Sequence, residues 1–393
     1  MPFVLPCATL SRFVKFSAIL LMIAASTPLS TNAASQTSDW EADLPTRVWT
    51  PLHRMASDDA VTFALQKHSG SAFDTRRGRI FLFGSDTHGE DWSNAPLIFD
   101  LGLLSWQRLH NDDPPGSYRV NEAGLPVAGP DGDHPWAMHS FGAVDYHAAW
   151  DAVLVSSHPA HMEPGRFSTA LAELWPAIER HPTWLFDLKE ARWLPLPKAQ
   201  TSFFAYAATY DSDRGIMIGT GHHGVFELTE RDATWRKRTD GKAIGYHNNG
   251  VYDPDHKALI MFGRNGLGND ILVYRTNDAQ LVAMPTPGLR PPKDEHTPMA
   301  FHPKLRETVV LVDRFAAGTS RQSRGQGRAE TWAYDLAQDR WRRIVTADLP
   351  FALGMNYHLH YDPQRNLLLL VTSSPAPTPD LEPGLAEVWV LKL

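Results

Sequence analysis

Six segments of this chain follow one plan, and that repetition constrains the fold more than any other feature. Each carries a small or β-branched residue, usually an aromatic, then Asp or His, a short polar turn and a run of β-formers. They begin at Ala72-Phe73-Asp74, Ala143-Val144-Asp145, Thr209-Tyr210-Asp211, Val251-Tyr252-Asp253, Ala300-Phe301-His302 and His360-Tyr361-Asp362. Asp and Pro turn a chain by bonding to the backbone just ahead or by presetting φ, so each segment predicts a hairpin whose second strand is the more apolar. A second signature follows, an aromatic-acid-Leu turn with Trp seven residues after the aromatic: Phe99 to Trp106, Phe186 to Trp193, Tyr334 to Trp341. The third unit stretches this to nine (Phe226 to Trp235), and the fourth has Leu281 seven after Tyr274. The sixth unit has a third strand over 387–391 and no fourth after it, whereas 47–52 forms an unclaimed strand ahead of the first unit. The prediction is an all-β chain: a six-bladed β-propeller of four-stranded antiparallel blades, its ring closed by the N-terminal strand.

Composition supports a packed core and narrows the partners. The chain has 393 residues, 43% hydrophobic and 21% charged, which excludes a disordered or fibrous chain. Its formal charge of −7 offers nothing to draw in a phosphate backbone, so nucleic acid is not an expected partner. Residues 1–34 read as a leader: Arg12 and Lys15 precede an apolar run too short to span a bilayer, and small residues end at Ala34. The expectation is an exported, monomeric protein, periplasmic or secreted, with 35–393 as a single domain and no membrane span. The single cysteine, Cys7, lies in the leader, so stability must come from packing rather than disulfides.

The hairpin followed by aromatic-Asp-Leu and Trp resembles the kelch repeat over 47–393. The double glycine of that repeat is reduced here to Phe83-Gly84, Gly219-Thr220-Gly221 and Phe262-Gly263, and is absent from the second, fifth and sixth units. The resemblance implies a propeller, and a scaffold role as one functional alternative.

Loop lengths single out a face. Turns between first and second strands are short, whereas the long segments 110–138, 158–182, 284–297, 314–329 and 373–386 fall between second and third strands or between blades. In an up-and-down blade those connections emerge on one face, and loops on a rigid scaffold carry function. The same face collects histidines. His68, His139, His247 and His296 each lie six residues before the expected turn residue of their hairpin, and the second strands deliver Asp86, His158, His222, Arg264 and Arg314. A rim of imidazole and guanidinium on an acidic protein is a local reversal of sign and points to an anionic ligand. It also offers three or four neutral imidazoles to a divalent ion, although no HxxxH motif occurs and no cofactor is required.

Three neighbouring hairpins pair one group entering with one leaving: His139 with His158, Tyr206 with His222, and Tyr246-His247 with Arg264. In this they are similar to exported propeller polysaccharide lyases of the ulvan-lyase type, which carry His/His, Tyr/Arg and Tyr/His pairs on consecutive blades. That resemblance implies β-elimination on a uronate-containing polysaccharide. The reaction needs a cation on the carboxylate, a base for the C5 proton and an acid for the leaving oxygen. Arg264, His158 or His222 can neutralise the carboxylate; Tyr206 or His139 can take the proton; His247, Tyr246, His68 and Arg314 complete the binding rim. Two other functions stay open: a non-catalytic scaffold for protein or glycan, and a mutarotase of an acidic monosaccharide such as sialic acid. Trp136 and Trp175 either stack on sugar rings or pin the long loops to the ring, and the basic run 320–328 either holds an acidic chain or is a solvated loop.

Overall fold

In four of the six blades the first hairpin is set by one buried carboxylate, and in blades two and five by a buried imidazole, His147 and His302. Asp74 accepts from the backbone N–H groups of Arg76 and Arg77 at 3.0 and 3.2 Å, and Asp211 from Asp213 and Arg214 at 3.0 and 3.1 Å. Asp362 does the same for Gln364 and Arg365 at 2.9 and 3.3 Å. The arginine three residues on then pairs with the other carboxylate oxygen, at 2.9, 2.6 and 3.0 Å for Arg77, Arg214 and Arg365. The turn therefore satisfies backbone donors and a buried charge together, which is why Asp recurs there. The second signature uses the same device: Asp100 caps Gly102 and Leu103, and Asp187 caps Lys189 and Glu190. Its tryptophan lies directly across the strand pair from its aromatic, Phe99 opposite Trp106, Phe186 opposite Trp193 and Tyr334 opposite Trp341. Ring centroids are 5.2, 5.0 and 5.0 Å apart, a cross-strand pair on one sheet face.

These units assemble into six four-stranded antiparallel sheets, the blades of a β-propeller. The computed structural model describes residues 40–393 apart from 66–67, 89, 201–206, 242–248, 264–270, 292–296, 314–327, 346, 352, 354–356 and 374–383. The expected leader lies outside the described residues, as do Tyr206, Tyr246, His247, Arg264 and Arg314. Blade one spans 70–108, blade two 144–200, blade three 207–239, blade four 249–284 and blade five 299–343. Blade six is 358–392 completed by Thr50–Arg54, which pairs antiparallel with Ala386–Lys392. The closing strand thus starts three residues later and ends two later than the expected 47–52, and is continued backwards by a bond from Arg47 N to Lys392 O at 2.7 Å.

Each sheet buries its faces only against its neighbours. One apolar cluster joins blades five and six through Leu311, Leu368, Leu370 and Trp389; another joins blades six and one through Val388, Val390, Ile80 and Phe99. Further clusters join one to two, two to three, three to four, and four to five. Trp49, just ahead of the closing strand, is buried in the five–six cluster and donates its indole N–H to Thr331 Oγ1 at 2.9 Å.

Blade two departs from the expected register. In the other hairpins the turn residue pairs with the residue five ahead, as Asp74 does with Arg79 and Asp362 with Leu367. In blade two that position belongs to His147, opposite Ala152, and not to Asp145. His147 serves the turn as Asp does elsewhere: its Nδ1 accepts the Trp150 N–H at 3.2 Å, and its ring stacks on Trp150 at 3.9 Å. The equal spacing expected for His139 therefore fails, because the residue six before His147 is Phe141. His139 reaches the rim by another route.

Trp49 closes the ring from one end of the chain. Trp49→Ala should lower stability by about 3 kcal/mol in urea unfolding, the usual size for deleting a buried tryptophan side chain. Val48→Ala, at an exposed neighbour, should change it by less than about 0.5 kcal/mol.

Candidate functional site

The route that brings His139 to the rim is a close approach between blades one and two, and it depends on two glycines. A Cβ on Gly70 would lie 2.2 Å from Phe141 O and 2.6 Å from Val144 Cγ2. Gly84 has φ +108°, and a Cβ there would lie 2.0 Å from Ser140 Oγ. With no side chain at either place, the 138–141 segment lies directly on blade one. Ser140 Oγ donates to Phe83 O at 2.6 Å, and Ser85 N to Met138 O at 3.0 Å. From the other side Ser140 N and Phe141 N both donate to His68 O, at 2.8 and 3.1 Å. His68 itself is held at φ +65°, a left-handed conformation that persists in a non-glycine residue only when its surroundings over-determine it.

The consequence is a packed group of imidazoles from four stretches of chain. His68 and His139 stack with centroids 4.0 Å apart, and His139 stacks on His161 at 4.1 Å. His88 stands edge-on to His68, His139 and His161 at 5.3, 4.9 and 5.5 Å. Asp86 completes the group, with Oδ1 3.6 Å from His68 Nε2 and 4.0 Å from His139 Nε2. That oxygen also accepts the His88 N–H at 3.3 Å, which folds the 86–88 turn back over the group. His68 and His139 are buried, Asp86 and His161 half-buried and His88 exposed, so the group has a dry side and a wet one. It sits where inner strands begin and second strands end, on the loop-rich face.

The other described residues of the predicted rim are placed differently. His158 is half-buried under the 160–181 loop, its Nε2 3.3 Å from Ile178 O and its ring 6.0 Å from His181. Burial pushes the pKa of His158 below the usual imidazole value and that of His181 further down, so both are neutral packing groups at pH 7. His222 and His223 form the two-residue turn between Gly221 and Gly224 in blade three. Trp136 is fully buried and donates to Val127 O at 2.9 Å, while Trp175 packs against the same cluster, which settles Trp136 as a pin for the 109–181 loops. The rim expected from the sequence includes His68, His139 and Asp86 but not His88 or His161; the glycine pair Gly70 and Gly84, flanking the first hairpin, was the signal available.

A second histidine group, His110, Asp113 and His134, lies in the same loop module and is already spoken for. Trp193 Nε1 donates to His110 Nε2 at 3.2 Å, which leaves the proton on Nδ1 to bond Asn111 O at 2.8 Å. His134 Nδ1 is 2.7 Å from Asp113 Oδ2, which also accepts from Asn94 at 2.8 Å. This group ties loops together.

The six inner strands enclose a central channel of about 410 Å³. Its lining includes Ser71, Asp145, Tyr210, His358, His360 and Tyr361, and no Lys or Arg among the described residues. Ser71 Oγ and His360 Nε2 are hydrogen-bonded at 2.7 Å. Desolvation lowers His358 to about 3 and His360 to about 4, and it raises Asp145 to about 6 despite the N–H bonds Asp145 accepts from Tyr146 and Tyr210. The channel is thus lined by neutral imidazoles and a carboxylate, a poor place for an anion.

No protein-family profile matches this chain, and no curated protein matches it. Among solved structures it is similar to the GH74 xyloglucanase from Xanthomonas campestris, at 14% identity over 87% of this chain and 45% of that one, with a TM-score of 0.49. It is similar to TolB from Acinetobacter baumannii at 13% identity, 80% and 65% coverage and a TM-score of 0.42. A nidogen/laminin complex matches at 11% identity, 80% and 94% coverage and a TM-score of 0.43. The chain spans less than half of the xyloglucanase chain, 45% of it.

Two outcomes test this geometry. Gly84→Ala combines a left-handed φ with overlap on Ser140, and should cost about 2 kcal/mol or more while disturbing the histidine signals of the rim in NMR spectra. The channel predicts a pH dependence. His358, His360 and the buried His147 (about 4) have folded values below the unfolded 6.5, so the stability they contribute is present above about pH 6.5 and is lost as pH falls toward 4. Asp145, raised from 3.8, has the opposite sign: its contribution is present at low pH and lost as pH rises through about 6. Three groups outweigh one, so the urea midpoint should fall from pH 7 to 5; His360→Gln should flatten that fall and Asp145→Asn should steepen it.

Proposed function

We propose that this chain is an exported, carbohydrate-active propeller that holds an acidic, uronate-bearing glycan on its loop-rich face and cleaves it by β-elimination. The observation that carries the reading is the convergence of His68, His88, His139 and His161 with Asp86 on that face, where the long loops rise. The composition of the channel and of the rim supports the choice of face. The channel offers an anion no guanidinium or ammonium among the described residues. The rim offers four imidazoles against one carboxylate.

The roles follow from the reaction. The imidazole group partners the uronate carboxylate and so lowers the pKa of the C5 proton. Tyr206 takes that proton: it precedes Ala207, whose strand starts beside Gly142, three residues past His139. Proton return to the leaving oxygen falls to the same phenol or to His139, and Arg264 is a further partner for the carboxylate. No helix among the described residues is long and apolar enough to cross a membrane.

Incubation of the purified chain with a panel of uronate polymers, followed by ultraviolet absorbance, tests the reading. The expected result is a rise from the conjugated unsaturated product on at least one polymer, reduced about 100-fold or more by His139→Ala and by Tyr206→Phe. Chain cleavage without that absorbance would replace elimination by hydrolysis. Silence on every polymer with thermal stabilisation by an acidic monosaccharide would favour mutarotation, and binding unchanged in both variants would favour a scaffold.

A further inference from the structure

We propose that His68, Asp86, His88 and His139 form a binding site for one divalent transition-metal ion of the Zn²⁺ class. Each residue presents one ligand atom, and the four atoms lie within 4.8 Å of one another. Four donors about 2.1 Å from a tetrahedral ion are about 3.4 Å apart, so the 3.6 Å and 4.0 Å separations from Asp86 Oδ1 to the two buried Nε2 atoms are close to the coordinated arrangement. Those separations are too long for hydrogen bonds and suited to an ion between the groups. The remaining donor, His88, is on the exposed 86–88 turn, where a small ring movement closes the set.

The donor chemistry selects the metal. Three imidazoles and one carboxylate suit zinc, manganese, iron or copper and suit calcium or magnesium poorly, since those prefer all-oxygen cages. The surroundings select the place. Among the described residues, two groups of histidine and carboxylate are compact enough for an ion. In the His110–Asp113–His134 group the nitrogens of His110 are bonded to Asn111 and Trp193, and His134 is bonded to Asp113. At the rim, the fold instead holds His68 in a left-handed conformation and anchors its carbonyl with two N–H groups of the blade that carries His139. Pre-positioned donors with a dry side and an open side are what a bound ion with an exchangeable position requires. His161, stacked on His139 at 4.1 Å, orients that ligand from outside the set.

This inference stands without the reaction proposed above, because binding is measured with no glycan present. In that reaction the ion would supply a fixed positive partner for the uronate carboxylate.

The test uses the full chain, stripped with a chelator and titrated with Zn²⁺ by calorimetry, with Co²⁺ as a spectroscopic substitute. One Zn²⁺ per chain is expected, with a rise in the unfolding temperature and visible Co²⁺ bands of four- or five-coordinate intensity. His88→Ala, at an exposed position that should fold normally, and Asp86→Asn should each weaken Zn²⁺ binding at least about tenfold; His110→Ala should leave the stoichiometry at one. Absence of a one-to-one site, six-coordinate Co²⁺ spectra, or affinity unchanged in both His88→Ala and Asp86→Asn would overturn the proposal, as would loss of the site in His110→Ala alone.

Discussion

A four-stranded blade has two apolar faces and no means of covering either by itself, so every blade depends on the ones beside it. That dependence makes a ring the stable arrangement, and it makes the junction between the last blade and the first a matter of stability for the whole molecule. Thr50–Arg54 completes blade six alongside Ala386–Lys392, so sequence-distant ends share one sheet. Trp49 extends the tie to blade five through Thr331. The apolar clusters continue from blade to blade around the ring. With Cys7 the only cysteine in the sequence, this packing and the buried Asp–Arg turns hold the ring without an internal disulfide.

Wherever two blades approach more closely than the average side chain allows, the ring acquires a special place. The one–two junction is such a place. Gly70 and Gly84 remove the side chains that would hold the 138–141 segment away, and backbone bonds from Ser140 and Phe141 lock His68 against it. Imidazoles that are 71 positions apart in sequence, at 68 and 139, then stack at 4.0 Å. The group is half dry, with His68 and His139 buried and His88 exposed on the 86–88 turn.

The molecule thus has two regions of different character. The channel is built from inner strands; burial keeps its histidines neutral and raises the pKa of Asp145, which also lines it. The rim is built from loops, partly wet, and rich in nitrogen donors.

The hairpin plan, the aromatic pairs across third and fourth strands and the loop-rich face were legible in the chain because each arises from contacts local in sequence or from periodicity two, and the closing strand because the last unit lacks a fourth strand that the first has in excess. The register of blade two was not. Asp145 looks like the other turn residues, yet His147 takes that role, since an imidazole nitrogen can accept a turn N–H as a carboxylate does. His68, His139 and Asp86 could be named as rim residues, but not that the two imidazoles stack, nor that His88 and His161 join them. Sequence alone determined the architecture, through repeated local turn chemistry. Only the tertiary structure decided which imidazoles meet, because that depends on how closely two blades approach, a distance set by side chains that are missing at two glycines.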